Sequence, residues 1–146
     1  MNSDPAKIIP HGDFSEFADT APTDVAVAGT FRLALSHNGI GLGWMGRNSS
    51  NYAVLAGSAS EAIQLELYPY NGVDYYRLNG SNRYLSVSNN AYVGFYLWNG
   101  ATGWKQTGTR FVSDYNGQSL SLYSKDNGYL YAYDPYTVLE VTFESQ

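Results

Sequence analysis

The sequence predicts an all-β domain built from three similar units, and three observations carry that expectation. First, Asn-Gly dipeptides recur at Asn38-Gly39, Asn71-Gly72, Asn79-Gly80, Asn99-Gly100, Asn116-Gly117 and Asn127-Gly128. Asn and Gly accept the positive φ that tight hairpin turns demand, so many hairpins are expected. Second, no stretch has convincing helical periodicity; "SASEAIQLELY" (58–68) is the one ambiguous segment. Third, the segments between turns repeat. "TFRLALSHNGIGLGWMGRNSSNYAVLAG", "IQLELYPYNGVDYYRLNGSNRYLSVSNNAYVGFYLWNG" and "TRFVSDYNGQSLSLYSKDNGYLYAYDPY" each open on a strand with a large apolar residue: Phe31, Leu65 and Phe111. The chain closes on a fourth, Phe143. Three helix-free units of about 40 residues, each too small to bury its apolar face alone, suggest a threefold barrel with two hairpins per unit.

The chain has 146 residues, one ordinary domain. Residues 1–28 stand apart. They carry three prolines, four aspartates, one glutamate and little periodicity. We expect an irregular arm there, either a flexible tail or a strand that augments a partner or a second copy. The barrel domain is then 29–146. Its first unit has Trp44 in "GIGLGWMG". In the second unit, Leu85 and Val87 of "RYLSV" oppose Tyr84 and Ser86, and in "YVGFYLW" Val93, Phe95 and Leu97 oppose Tyr92, Tyr96 and Trp98. In the third, Leu120 and Leu122 of "QSLSLY" oppose Ser119, Ser121 and Tyr123. The last strands place Leu130, Ala132, Leu139, Val141 and Phe143 inward, with Tyr129, Tyr131 and Tyr133 on the other face. The serines mark that second face as wet, so most tyrosines are expected on a half-exposed face.

Composition excludes several function classes. Net charge is −5, and the eight Lys and Arg are scattered, which argues against nucleic acid as a partner. Without cysteine there is no disulfide, thiolate nucleophile or Cys-based zinc site. No apolar run approaches a membrane span. The start, "MNSDPAKIIPHGDF", lacks a basic segment followed by an apolar one, so we expect a cytoplasmic protein or one released without a Sec signal peptide.

The stretch "DYYRLNGSNRYLSVSNNAYVGFYLW" resembles the repeat of fascin-like β-trefoils, in which a Gly turn precedes a "YLS" strand and another turn precedes an apolar strand. Asn79-Gly80, Tyr84-Leu85-Ser86 and Tyr92-Val93 carry the likeness. Asn116-Gly117, Leu120-Ser121 and Gly128-Tyr129-Leu130 repeat it more loosely, and "GIGLGWMG" departs from it. The resemblance implies a β-trefoil of the fascin-like or lectin-like kind; a jelly roll or β-sandwich is the alternative. The Gln-x-Trp motif of ricin-type trefoils is absent.

Sixteen per cent aromatics, 14% charged residues and Asn- and Gly-rich loops suit sugar recognition. A ring stacks on the C–H face of a sugar, and Asn, Asp or backbone groups bind its hydroxyls. The end of the third strand in each unit is where such sites are expected. The second unit offers Trp98, Asn99 and then Trp104; the third offers Tyr133, Asp134 and Tyr136. The first has Ala56-Gly57-Ser58 there, so its site is absent or rebuilt around Trp44. Two sites are expected, giving avidity. Catalysis finds no support: His11 lies in the arm, His37 in a turn, and no hydrolase, metalloprotease or phosphate-loop motif occurs. No cofactor or metal is expected. The reading is a lectin for glycans or glycoproteins, defence- or toxin-associated. The alternative is a non-catalytic module that binds a protein partner or homodimerises.

Overall fold

The computed structural model describes residues 27–146. The expected arm, with His11, falls almost entirely outside the described residues. Thirteen strands follow: β1 (Gly29–His37), β2 (Ile40–Arg47), β3 (Ala53–Ala56), β4 (Leu65–Tyr70), β5 (Val73–Leu78), β6 (Tyr84–Val87), β7 (Val93–Tyr96), β8 (Trp104–Thr107), β9 (Arg110–Ser113), β10 (Leu120–Leu122), β11 (Leu130–Ala132), β12 (Thr137–Val138) and β13 (Glu140–Ser145). The ambiguous 58–68 segment splits into a 3₁₀ turn, Ala59–Glu61, and β4. The described residues are all-β, and every ladder among them is antiparallel.

Six strands form a nearly closed barrel. β13 pairs β1, β1 pairs β4, β4 pairs β5 and β8 pairs β9. β5 packs beside β8 and β9 beside β13, where Val141 N donates to Thr109 O at 2.8 Å. β1 belongs to two layers. Its first three residues pair β4, and its last four pair β2 across an irregularity at Leu35/Ser36. Asn38-Gly39 (φ 52° and 78°) and Asn71-Gly72 (φ 51° and 77°) make the expected hairpin turns. Asn99-Gly100 instead lies in a 3₁₀ turn, Trp98–Gly100, without positive φ.

The hairpins β2–β3, β6–β7 and β10–β11 lie over one end of the barrel and are joined in a ring. Phe95 N donates to Asn51 O (2.9 Å), Leu55 N to Gly128 O (2.7 Å) and Ala132 N to Ala91 O (2.8 Å). The three acceptors are the residues of these hairpin turns with left-handed backbone: Asn51 φ 67°, Ala91 φ 66°, Gly128 φ 71°. Each is followed by a tyrosine. Tyr52, Tyr92 and Tyr129 meet edge to face, with centroids 5.3–5.8 Å apart.

Most inward residues read from strand parity form the core: Leu85, Val87, Val93, Phe95, Leu120, Leu122, Leu130, Ala132, Leu139 and Val141 are all buried, Phe143 packs half-buried against them, and Leu97, beyond the end of β7, is half-buried and outside the core. The four unit anchors converge there as well. Phe111 stacks on Trp104 (4.8 Å, 8°) and meets Phe143 at 5.5 Å; Phe143 in turn meets Phe31 at 5.4 Å, and Leu65 is fully buried.

The opposite face departs from expectation. Ser86, Ser119 and Ser121 are buried, as are Tyr84, Tyr96 and Tyr131. The serine hydroxyls of Ser86 and Ser121 are satisfied by backbone: Ser86 Oγ donates to Tyr84 O at 2.6 Å, and Ser121 Oγ to Tyr131 O at 3.2 Å. A serine opposite an aliphatic residue therefore marks wet surface only where nothing covers it, and here neighbouring hairpins do.

Candidate functional site

The two expected sites and the Trp44 region meet different fates. Around Trp98 the structure builds a closed aromatic box. Its ring lies 4.7–6.1 Å from those of Tyr68, Tyr70, Tyr75 and Tyr84, and 9% of the residue is exposed. Trp104 is 1% exposed, stacked on Phe111, with Nε1 donating to Leu85 O at 3.0 Å. Both were expected beside a ligand. Trp104 is a core side chain instead, and the indole of Trp98 faces protein. Asn99 is half-buried in the same 3₁₀ turn.

The third-unit residues stay accessible. Tyr133 is 41% exposed, and Tyr136 meets Tyr123, Tyr131 and Tyr133 with centroids 4.9–5.0 Å apart. Tyr123 is 61% exposed. The Asp134 carboxylate is partly spent on the loop, accepting from Ser119 N at 2.7 Å, while Asp134 N donates to Gln118 Oε1 at 2.9 Å. The result is an exposed tyrosine patch.

Trp44 lies in a true groove, of about 490 Å³, on the outside of β1, β2 and β13. Strand register explains it. Leu33 and Leu35 point into the core, so Arg32, Ala34 and Ser36 face outward. Ala34 stands opposite Trp44 on one side and Thr142 on the other, and Arg32 opposite Glu144. The small Ala34, with Gly39, Gly41 and Gly43, leaves the groove unfilled. Gly43 is required: its φ is +147°, and a Cβ there would run into the Ala56 carbonyl.

Glu144 organises this groove. Its Oε1 accepts from Arg32 Nε at 2.7 Å and from Trp44 Nε1 at 3.0 Å. The hydrogen bond from Arg32, then that from Trp44, holds its carboxyl below the usual range, so it is ionised at neutral pH. Among the described residues no group donates to Oε2, and Arg32 is paired only through Nε. An acceptor and a planar donor therefore flank the indole, uncommitted. Glu140, on the same strand, serves the fold instead. It accepts from Gly39 N (3.1 Å), Asn38 N (3.0 Å) and Ser36 Oγ (3.0 Å), closing the β1–β2 turn, and these bonds, Gly39's first, lower its pKa.

Sequence reasoning named Trp44 but missed Glu144 and Arg32. Glu144 was recognisable as an outward residue of the last strand. That it lies against an indole about a hundred positions earlier follows only from β1 pairing both β2 and β13. Among the described residues no group of His, Asp and Glu is arranged to hold a metal ion, and no helix is long and apolar enough to cross a membrane. Comparison with family models, with curated proteins and with solved structures finds no match for the chain.

Proposed function

We propose that the protein is a non-catalytic β-trefoil that binds carbohydrate in the Trp44–Glu144 groove. The trefoil reading is supported by the six-strand barrel and by three hairpins over one end, linked through a cyclic set of hydrogen bonds. A jelly roll or sandwich has no reason to repeat one turn conformation and one interhairpin bond three times.

The observation that carries the binding reading is the half-buried Trp44 in an open groove beside a Glu–Arg pair whose outer atoms no other described residue engages. An indole offers a sugar's C–H face a rigid apolar surface, Glu144 Oε2 accepts from hydroxyls, and Arg32 donates to them. Ser36 and Thr142 add hydroxyls at the rim. The groove is shallow, so single-site affinity is weak and selectivity rests on hydroxyl geometry.

The test is a glycan array with labelled protein beside Glu144→Gln, each checked for folding by near-UV circular dichroism. Binding to a coherent glycan family, reduced about tenfold or more in the folded variant, is the expected result. A blank array with folded protein overturns it. The patch of exposed Tyr123 and Tyr133 around half-buried Tyr136 favours the second reading, a protein-interaction module, since Tyr is enriched at such interfaces. Capture of a partner lost in Tyr133→Ala, with a blank array, would establish that reading.

A further inference from the structure

A second cavity, of about 240 Å³, opens between the tip of the β4–β5 hairpin and the segment entering β8. We propose that it binds an alkylammonium group, and this does not depend on the carbohydrate reading. Val73 and Tyr75 of β5, the segment Ala101–Gly103, and Asp114 with Tyr115 line it. Gly103 keeps it open. A Cβ there would strike Val73 Cγ1 and come within 2.7 Å of Asp114 Oδ2, so that oxygen overhangs bare backbone. Asp114 N donates to Gly103 O at 2.9 Å, which ties these two lining segments together.

Three features select the ligand. Among the described residues no donor reaches the Asp114 carboxylate and no Lys or Arg lines the cavity. A full negative charge therefore faces a mostly apolar hollow, in a protein of net charge −5, which favours a cation. Tyr115 is 40% exposed at the cavity, and Tyr75 lines it while its ring packs on Trp98 at 4.7 Å. Two tyrosines beside a carboxylate suit a cation that can be desolvated against aromatic rings. One carboxylate in an apolar wall does not satisfy a calcium or magnesium ion, which demands six or more oxygens. An ammonium clothed in methyl or methylene groups fits both the charge and the wall. Such a group is carried by choline-type small molecules, by choline lipids and by methylated lysine.

The experiment is a ¹H–¹⁵N NMR titration of the whole chain with tetramethylammonium and with choline, beside the neutral isostere 3,3-dimethylbutanol. Saturable shifts at the Gly103 and Tyr115 amides with both cations, and at least about tenfold weaker shifts with the isostere, are expected. Asp114→Asn and Tyr115→Ala, both at exposed positions and so expected to fold, should each weaken choline about threefold or more. Vesicles of phosphatidylcholine against phosphatidylglycerol, and a trimethyl-lysine peptide, then assign the source. Vesicle binding abolished in Asp114→Asn supports the lipid, peptide binding the modified lysine, and neither, with choline intact, a soluble ligand. The proposal is overturned if neither cation shifts these amides at about 100 mM, if the isostere binds as well as choline, or if Asp114→Asn leaves affinity unchanged.

Discussion

Trp98 and Tyr133 both follow the third strand of their units, two residues after β7 and one after β11, each an aromatic followed by Asn or Asp, yet one is enclosed and the other open. Their neighbours make the difference. Trp98 lies under the β4–β5 hairpin, whose six-residue strands carry Tyr68, Tyr70 and Tyr75. Tyr133 follows β11, and the barrel hairpin before it in the chain, β8–β9, has four-residue strands. Its aromatics, Trp104 and Phe111, are both buried in the core, and Lys105, Gln106, Thr107 and Arg110 face water. An aromatic beside a polar loop residue thus becomes core or surface according to the length and composition of a hairpin elsewhere in the chain.

The largest effect that would break this comparison is on stability. Trp98→Ala should cost about 3–5 kcal/mol in chemical denaturation, because four tyrosines lose their shared partner. A loss below about 1 kcal/mol would mean the box is not packed as described. Alkaline titration should also separate buried from exposed rings. Burial, then the Asp74 charge, pushes Tyr76 up to about 12, and the hydrogen bond with Tyr131, then burial, pushes Tyr92 to about 12. Unfolded tyrosine ionises near pH 10. The stability held by these rings is therefore complete below pH 10 and is lost as pH rises towards 12. Absorbance at 295 nm should show a late, cooperative phase coincident with loss of near-UV dichroism.

A smaller effect tests the threefold turns. Ala91 holds the left-handed conformation that Gly128 supplies without strain in the third unit. Ala91→Gly should stabilise by up to about 1 kcal/mol and Gly128→Ala destabilise by about 1–2 kcal/mol, read from thermal melts. The smallest change is expected of Tyr133→Ala, within about 0.5 kcal/mol of wild type by denaturation, since its ring is exposed. A large loss there would show that the patch is structural.

The acidic limb bears on the groove. Hydrogen bonds hold the Glu140 and Glu144 carboxyls below the usual range, so their contribution is present above about pH 4.5 and declines as pH falls through the lowered values. Glu140→Gln should flatten the acid limb of a stability–pH profile, and glycan binding through Glu144 should fade over the same range.

Strand class, hairpin turns and the inward set from Leu85 to Val141 were legible from the sequence, because alternation along a strand and positive φ at Asn-Gly are local properties. The proposed binding groove was legible only as Trp44. Its floor is Ala34, its acceptor Glu144 and its donor Arg32, and their meeting is set by the register of β1 against two strands at opposite ends of the chain. Parity assigned each side chain to one of two faces, but whether the second face met water depended on what another hairpin laid over it. So the chain's own pattern determined the elements and the core, while burial of Trp98, Ser86 and Ser121, exposure of Tyr133 and assembly of the groove were decided by tertiary packing, since solvent exposure belongs to the whole surface and not to any one segment.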